Sequence, residues 1–332
     1  MTWLVTGGSG FLGVHLLRRL SRRGIAARSL DLEPLELRLP QVEAIVGDVR
    51  DEAVVRQALE GVEVLVHAAA ALPSGGNLEE VNRAATARLA QLARKAGVRR
   101  SVFVSSGVVY GIQPPPVAET AVPRPCEAYG RSKLAAERAW LAAAPAPLVL
   151  RPSAFIGPER LGVFGILFRW IREGRRIYVL GDGGNRYQLL DVADLVRAIE
   201  LASERPADGV LNVGGRISGT VRADLEKLIR HAGSRSQVVG IPARPAKAIL
   251  AALDAVGLSP LQRWHRLSAD RDIVFDCARA DALLGWQPSR SGAETLISAY
   301  DWYCADGDSR PEGITHRTAW RERALGVLRR IS

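Results

Sequence analysis

Short apolar runs and amphipathic stretches alternate through the first half of the chain. Trp3 to Thr6 reads as a strand, Phe11 to Arg23 as a helix ended by Gly24, and Ala26 to Leu30 and Ala44 to Val46 as two further strands. The pattern repeats with a helix over Asp51 to Glu60 stopped by Gly61, a buried strand over Val62 to Val66, a long helix over Leu78 to Ala96 stopped by Gly97, and a strand over Val102 to Ser105. Each glycine falls where a helix C-terminus favours left-handed backbone. After Gly111, a connection through Pro114, Pro115, Pro116, Pro123 and Pro125 leads into a helix over Glu127 to Ala143 and a strand over Leu148 to Leu150. Strand and helix in alternation predict an α/β fold whose parallel sheet carries helices on both faces.

Beyond Arg151 the alternation loosens, with helical pieces over Val163 to Arg172, Val192 to Ser203, Arg222 to His231 and Ala246 to Ala255. The expected organisation is a nucleotide-binding domain over residues 1–150 and, over 151–332, a smaller mixed α/β lobe that closes on a substrate. Segments near 187–214 are expected to return to the first domain. Leu161, Val163, Phe164, Ile166, Leu167 and Trp170, with Ile249 to Leu261, could line an apolar pocket, although at helical spacing such residues also make core or a subunit contact.

Composition narrows the function classes. The 332 residues carry a net charge of +10, yet the basic residues are almost all Arg and are spread through helices without interleaved aromatics, which argues against a nucleic-acid partner. No stretch approaches the roughly 18–20 uninterrupted apolar residues of a membrane span. The first strand starts so near Met1 that no signal peptide fits before it. Cys126, Cys277 and Cys304 have no CxxC spacing and the five histidines are scattered, which implies reduced thiols, a cytoplasmic location and no metal site.

Gly7, Gly10 and Gly13 stand three apart where a strand turns into a helix. The first permits a tight turn, the second lets backbone N–H groups of the Gly10-Phe11-Leu12 turn approach a pyrophosphate, and the third allows close helix-to-strand packing. This spacing predicts a Rossmann, doubly wound dinucleotide site. Asp31 ends the second strand, where a carboxylate can accept from both ribose hydroxyls and repels a 2′-phosphate, so NAD is expected over NADP; a turn cap is the alternative role. Asp48 and Val49 end the third strand, where Asp48 could meet the adenine amino group or serve an ordinary turn. Ala68, Ala69 and Ala70 keep the cofactor path clear after His67, itself read as a packed strand-end residue.

Tyr129 and Lys133, four apart on a helix, lie on one face. A phenol near pKa 10 is a poor base at neutral pH, and a neighbouring ammonium favours its ionised form. Ser105-Ser106-Gly107 at a strand end can supply a third group, for which Ser106 is chosen.

Together these motifs resemble the extended short-chain dehydrogenase/reductase superfamily over nearly the whole chain. The resemblance implies the triad Ser106, Tyr129 and Lys133; cofactor contacts from Thr6 to Gly13, Asp31, Asp48, Val49, Ser105, Pro152 and Ser153; and Asn82 as a structural Asn beside the cofactor. Asn82 could instead be a surface residue of its helix. Pro73, Gly107, Val108, Ala154, Arg186 and Gln188 are the implied substrate contacts. Gly181 to Asp194, Leu211 to Gly214 and Leu284 to Pro288 are similar to further family landmarks. A homodimer through the helices at Leu78 to Ala96 and Glu127 to Ala143 is also implied.

The shared chemistry is oxidation of a secondary alcohol on a small-molecule substrate. Dehydratases of the superfamily carry Thr-Asp-Glu where this chain has Ser106-Gly107-Val108, which disfavours dehydration. Nucleotide-sugar epimerisation through a keto intermediate is the first expectation. Against it, Ala154 replaces a customary Asn, the Arg-x-Gly-Asp clamp gives way to Leu267-Ser-Ala-Asp-Arg-Asp272, and Arg186 is one residue out of register as a diphosphate holder. The rivals are an alcohol dehydrogenase similar to 3β-hydroxysteroid dehydrogenases, whose Arg-Pro-x-x-x-x-Gly-Pro pattern Arg151 to Pro158 shares, and a non-catalytic NAD-binding scaffold.

Overall fold

A computed structural model describes residues 1–72, 77–160, 162–255 and 263–306. Pro73, Leu161, the end of the Ile249 to Leu261 segment and the Arg-rich end from His316 to Arg330 therefore lie outside the described residues. The strands are β1 (Thr2–Thr6), β2 (Ala26–Asp31), β3 (Val42–Val46), β4 (Val64–His67), β5 (Arg100–Val104), β6 (Pro147–Pro152), β7 (Phe155–Ile156), β8 (Ile177–Leu180), β9 (Leu190–Asp191), β10 (Gly209–Val213) and β11 (Val238–Ile241). The helices are α1 (Phe11–Arg22), α2 (Glu52–Leu59), α3 (Thr86–Lys95), α4 (Ala128–Ala143), α5 (Gly162–Arg172), α6 (Val192–Glu204), α7 (Val221–His231), α8 (Ala243–Ala255), α9 (Arg263–Ser268), α10 (Ala278–Leu284) and α11 (Gly292–Asp306).

Seven strands pair in parallel in the order β3-β2-β1-β4-β5-β6-β10, the doubly wound Rossmann arrangement. Its strand order reverses between β1 and β4, and ligands of such sheets bind at the carboxyl ends of the strands flanking that point. Those ends are Thr6-Gly7 and His67-Ala68. One face of the sheet is covered by α1, α6 and α10 through Leu16, Leu17, Leu20, Leu195, Ile199 and Leu284. The other is covered by α2, α3 and α4 through Val55, Leu59, Leu89, Ala93, Ala136 and Trp140. Central strands buried on both sides explain why the sequence shows continuous apolar runs there.

The lobe has its own core, in which α5, α7 and α11 meet through Phe168, Ile171, Leu228, Ala299 and Tyr303. β9 leads into α6 and β10, and β10 is the edge strand beside β6. The landmark residues are structural. Asn212 accepts from the Tyr110 hydroxyl at 2.8 Å and donates to Val117 and Asp276 carbonyls, while Trp286 is fully buried and donates to Asp194 O at 2.9 Å.

The expected long helix over Leu78 to Ala96 is two segments, a wide π turn over Glu79–Ala85 followed by α3. The cause is Asn82, at 2% exposure no surface residue: its amide accepts from Ala71 N at 2.7 Å and donates to Ala71 O and to the Ser132 hydroxyl. Those bonds tie the loop after β4 to α4, and the π turn aims the side chain to make them.

Candidate active site

The glycine turn after β1 is built by close packing. Gly7 has φ +74°, and a Cβ there would lie 2.7 Å from Ala69 N; one on Gly13 would lie 2.1 Å from Gly7 O. Gly10 is the N-cap of α1, with no side chain capping the helix and no acidic residue in its first turn, so the N–H groups there face outward toward an anion. Phe11 and Leu12 contribute backbone only, because both side chains are buried in the core. Asp31 accepts from Ser9 N at 3.0 Å with one oxygen and from Glu33 N at 3.1 Å with the other. It does cap the turn, and each oxygen keeps lone pairs for ribose hydroxyls.

Asp48 performs the turn role, accepting from Arg50 N at 2.8 Å and from the Arg50 guanidinium, which holds its carboxyl below the usual range. Val49 is half-buried against the α2 side of the sheet. Ala68 N donates to Thr6 O at 3.1 Å, which draws the small-residue loop along β1. His67 is packed, as expected: its ring nitrogens bond the hydroxyls of Thr6 and Thr86, it stacks on Phe103 and Trp140, and burial lowers its pKa to about 3. It stays neutral and takes no part in chemistry.

Two expected cofactor contacts need correction. Asn82 spends its amide on protein groups, so it braces the cofactor loop without facing the ligand. Ser105 directs its hydroxyl to Glu137 Oε1 at 2.5 Å, and Glu137 is also held by Arg151 through Nε at 3.0 and 3.2 Å and Nη2 at 2.6 Å. Ser153, after β6, behaves differently: its hydroxyl is buried without a hydrogen-bond partner, while Ser153 N donates to Val213 O at 2.8 Å. An orphaned hydroxyl beside Pro152 and an uncapped helix N-terminus are features that a dinucleotide would satisfy. The site therefore fits NAD.

Ser106 stands at the turn after β5, while Tyr129 and Lys133 both stand on α4. Ser106 caps the short 3₁₀ turn over Gly107–Tyr110, accepting from Val108 N at 3.4 Å. Gly130, the residue after Tyr129, packs under Val108 O, so the Ser106 turn and the first turn of α4 are in contact. Tyr129 is half-buried, and desolvation pushes its phenol up to about 12, with Arg160 opposing and Glu127 adding to the rise. Lys133 is 2% exposed; its ammonium donates to Val104 O at 2.7 Å and lies 4.2 Å from the Phe103 ring centre. Desolvation lowers its pKa to about 7, against the carboxylate of Glu137 one turn further on.

The implied substrate residues divide. Gly107 and Val108 adjoin Ser106, and a Cβ on Gly107 would strike the Phe275 ring at 2.4 Å. Ala154 is exposed and offers a methyl group only. Arg186 is bound to Asp272 through its backbone N at 2.7 Å, Nε at 3.1 Å and Nη2 at 2.7 Å. Gln188 is buried and accepts from Phe275 N at 2.8 Å. Pairing with Arg151 makes Glu137 a supporting residue that sequence reasoning missed, although it lies one helical turn beyond Lys133.

No described helix is long and apolar enough to cross a membrane, and the described residues hold no cluster of metal ligands. The profile of the NAD dependent epimerase/dehydratase family matches residues 3–214. The uncharacterized protein y4nG of Sinorhizobium fredii is 35% identical, over 98% of this chain and 85% of its own. Sterol demethylase protein B of Methylococcus capsulatus is 33% identical over 79% of this chain and 83% of its own. Among solved structures, MoeE5 in complex with UDP-glucuronic acid and NAD superposes with a TM-score of 0.75 at 27% identity, covering 92% of this chain and 99% of that one. The chain belongs to the NAD-dependent epimerase/dehydratase family of extended short-chain dehydrogenase/reductases, and its cofactor is NAD.

Proposed function

We propose that this protein oxidises a secondary alcohol to a ketone, with Tyr129 taking the hydroxyl proton, Ser106 bonding the same oxygen and Lys133 supplying the charge that favours the phenolate. The observation that carries this is the placement of Lys133 on the same helix as Tyr129, one turn further on, with its ammonium buried and fixed to Val104 O. NAD, when bound, accepts the hydride. Its nicotinamide ribose would be held by Lys133 and Tyr129, its ring side by Ser153, its pyrophosphate by the Gly7 to Gly13 turn and its adenosine ribose by Asp31.

Net dehydrogenation, with release of the ketone, is the reading that we favour for the fate of the product. The groups expected to hold a sugar diphosphate are otherwise engaged: Arg186 is bound three times to Asp272 and Gln188 is buried, while Ala154 has no polar side chain. Val108 and Tyr187, partly buried against the core of Trp264 and Phe275, leave apolar surface near Gly107, which suits a hydrophobic substrate. The name of the Methylococcus relative, a sterol demethylase protein, supports the same direction. Nucleotide-sugar epimerisation is the second reading, favoured by likeness to MoeE5 over almost the full length of both chains.

The test is incubation with NAD and a panel of 3β-hydroxysteroids and UDP-, GDP- and dTDP-sugars, following NADH absorbance and product stereochemistry together. Accumulating NADH with a ketone supports dehydrogenation, and an inverted sugar without net NADH selects epimerisation. Tyr129→Phe is expected to bind NAD normally and to lose about 10²–10⁴-fold in rate. Undiminished turnover in that variant removes Tyr129 from the mechanism.

A further inference from the structure

Ser106 opens the 3₁₀ turn over Gly107–Tyr110 and Tyr110 closes it. Tyr110 is fully buried, and both of its oxygens are bonded. Its carbonyl accepts from Gln113 Nε2 at 2.6 Å and from Arg124 N at 3.3 Å, and its hydroxyl donates to Asn212 Oδ1 at 2.8 Å. Asn212, on β10, is fixed in turn: its backbone N–H donates to Glu119 Oε1 at 2.8 Å, and its amide to the carbonyls of Val117 and Asp276. The tyrosine ring lies against two neighbours. The Arg151 guanidinium stands 4.7 Å from its centre, and the Phe275 ring centre 5.7 Å away.

The same guanidinium reaches the other half of the site. From β6, Arg151 holds the Glu137 carboxylate through Nε and Nη2, and Glu137 stands on α4 one helical turn beyond Lys133. Three consecutive residues after that complete a closed path. Val104 O accepts from the Lys133 ammonium, the Ser105 hydroxyl donates to Glu137, and Ser106 begins the turn again. From Ser106 the path runs through Tyr110, Arg151, Glu137 and Lys133 back to the end of β5. A planar guanidinium set against a ring and gripping a carboxylate with its fork has a defined orientation, so displacement of one partner is felt by the other.

We propose that Tyr110 and Arg151 are positioning residues that couple the turn presenting Ser106 to the helix carrying Tyr129 and Lys133. Both are buried, and each acts through another side chain. The consequence for turnover rests on the alcohol-oxidation reading above, in which Ser106 and Tyr129 meet one substrate oxygen, whereas the coupling itself is a contact path within this chain. An error of about 1 Å in such an arrangement can lower a rate by about 10²-fold, so a tie between the two halves bears directly on catalysis. Lys133 reports on the α4 half. It is faced by Glu137 and Tyr129, one turn away on either side along α4, by Val104 O and the Phe103 ring from β5, and by neutral His67 from β4.

The lysines are Lys95, Lys133, Lys227 and Lys247 alone, so isotope labelling at lysine Cε gives an NMR spectrum simple enough to follow each, and Lys133→Met assigns the signal of interest. In the NAD-loaded protein, Tyr110→Leu is expected to displace the Lys133 signal and its titration midpoint while the other lysines stay in place. Tyr110→Phe keeps the ring on Arg151 and should restore most of the wild-type position. The Tyr110→Leu change is then repeated in Glu137→Leu with Arg151→Met, where the path is cut without leaving an unpaired buried charge. There it should leave the Lys133 signal where that background has it. An unmoved Lys133 signal in Tyr110→Leu overturns the coupling, and so does an equal displacement in both backgrounds, because the effect then travels by another route. Tyr110→Met, whose flexible side chain fills more of the volume, replaces Tyr110→Leu in both backgrounds if the latter does not fold. With an alcohol that the wild type oxidises, Tyr110→Leu should lower kcat by up to about 10²-fold with KM nearly unchanged. An unchanged kcat beside a displaced Lys133 signal overturns the positioning role. Absence of ketone with every alcohol of the panel refutes the oxidation reading, and the Lys133 signal alone then decides the coupling.

Discussion

Glu137→Gln perturbs the buried support of the catalytic helix while keeping its volume. Glu137 and Arg151 are 1% and 5% exposed, and the carboxylate takes three bonds from the guanidinium and one from Ser105. An amide exchanges one acceptor oxygen for an NH₂ group, which meets Arg151 donor to donor. The guanidinium is then a buried cation that keeps one neutral amide oxygen and the Tyr110 ring, 4.7 Å away, in place of a carboxylate. Breaking a buried pair on one side costs about 3–5 kcal/mol, a large share of the roughly 5–15 kcal/mol that holds a native domain together. At about 2 °C per kcal/mol for a chain of this size, the expected drop in Tm is about 6–10 °C. Thermal and urea unfolding followed by circular dichroism measure it. Glu137→Leu combined with Arg151→Met removes both charges and should recover at least half of the loss. A single-variant loss below about 1 kcal/mol, or a double variant no more stable than the single, refutes the argument from an uncompensated buried charge. Activity should respond too, because the Glu137 carboxylate opposes the burial that lowers the Lys133 pKa to about 7. Without it the ammonium is lost at still lower pH.

Three further outcomes are expected. Calorimetry should show NAD bound more tightly than NADP, with Asp31→Ser narrowing the gap; equal affinities in the wild type would rule out Asp31 as the discriminating carboxylate. Gly13→Ala places a Cβ 2.1 Å from Gly7 O and 2.5 Å from Gly8 Cα, so NAD binding should collapse together with about 1–3 kcal/mol of stability, and a variant with unchanged affinity contradicts the packing argument. Lys133 titrates near 7 in the fold against 10.5 when free, so between those values the unfolded chain binds more protons and the cofactor-free protein should gain stability as pH rises. Lys133→Met should flatten that slope, and a slope that persists in the variant must come from other groups.

The sheet was legible because helix-ending glycines and both-sided burial leave local marks. Phe11 to Arg23 and Glu127 to Ala143 each fall within a residue of the observed helices, and Ala26 to Leu30 within a residue of β2. The nearness of Tyr129 and Lys133 was legible for a related reason: both stand on one helix, and helical geometry turns a spacing of four into proximity. What escaped depends on contacts distant in sequence. The π turn at Glu79–Ala85 lets Asn82 reach Ala71 and Ser132, and the Gln188 side chain is held by the backbone N–H of Phe275. Neither signal is present in the neighbouring residues. Ser105 and Ser106 illustrate the limit, since adjacent identical side chains at a strand end point one to the Glu137–Arg151 pair and the other to the 3₁₀ turn.

Burial opposes the charged forms that alcohol oxidation needs, because it drives the Tyr129 phenol up to about 12 and the Lys133 amine down to about 7. Two charges within the protein act the other way. Glu137 sustains the Lys133 ammonium, and its position is set beneath α4 by Arg151, a residue of β6 in the central sheet. Arg160 favours the Tyr129 phenolate, and its position is set by the loop after β7 against α1 and the ring of Phe155. The helix that carries Tyr129 and Lys133 thus also carries an anion fixed by the central sheet, while a cation from the loop after β7 acts on its tyrosine. Displacement of Glu137 lowers stability and the Lys133 charge together. Displacement of Arg160 raises the phenol's pKa with little effect on the sheet core. The two perturbations are therefore separable: one should move Tm and the pH profile, the other the pH profile alone.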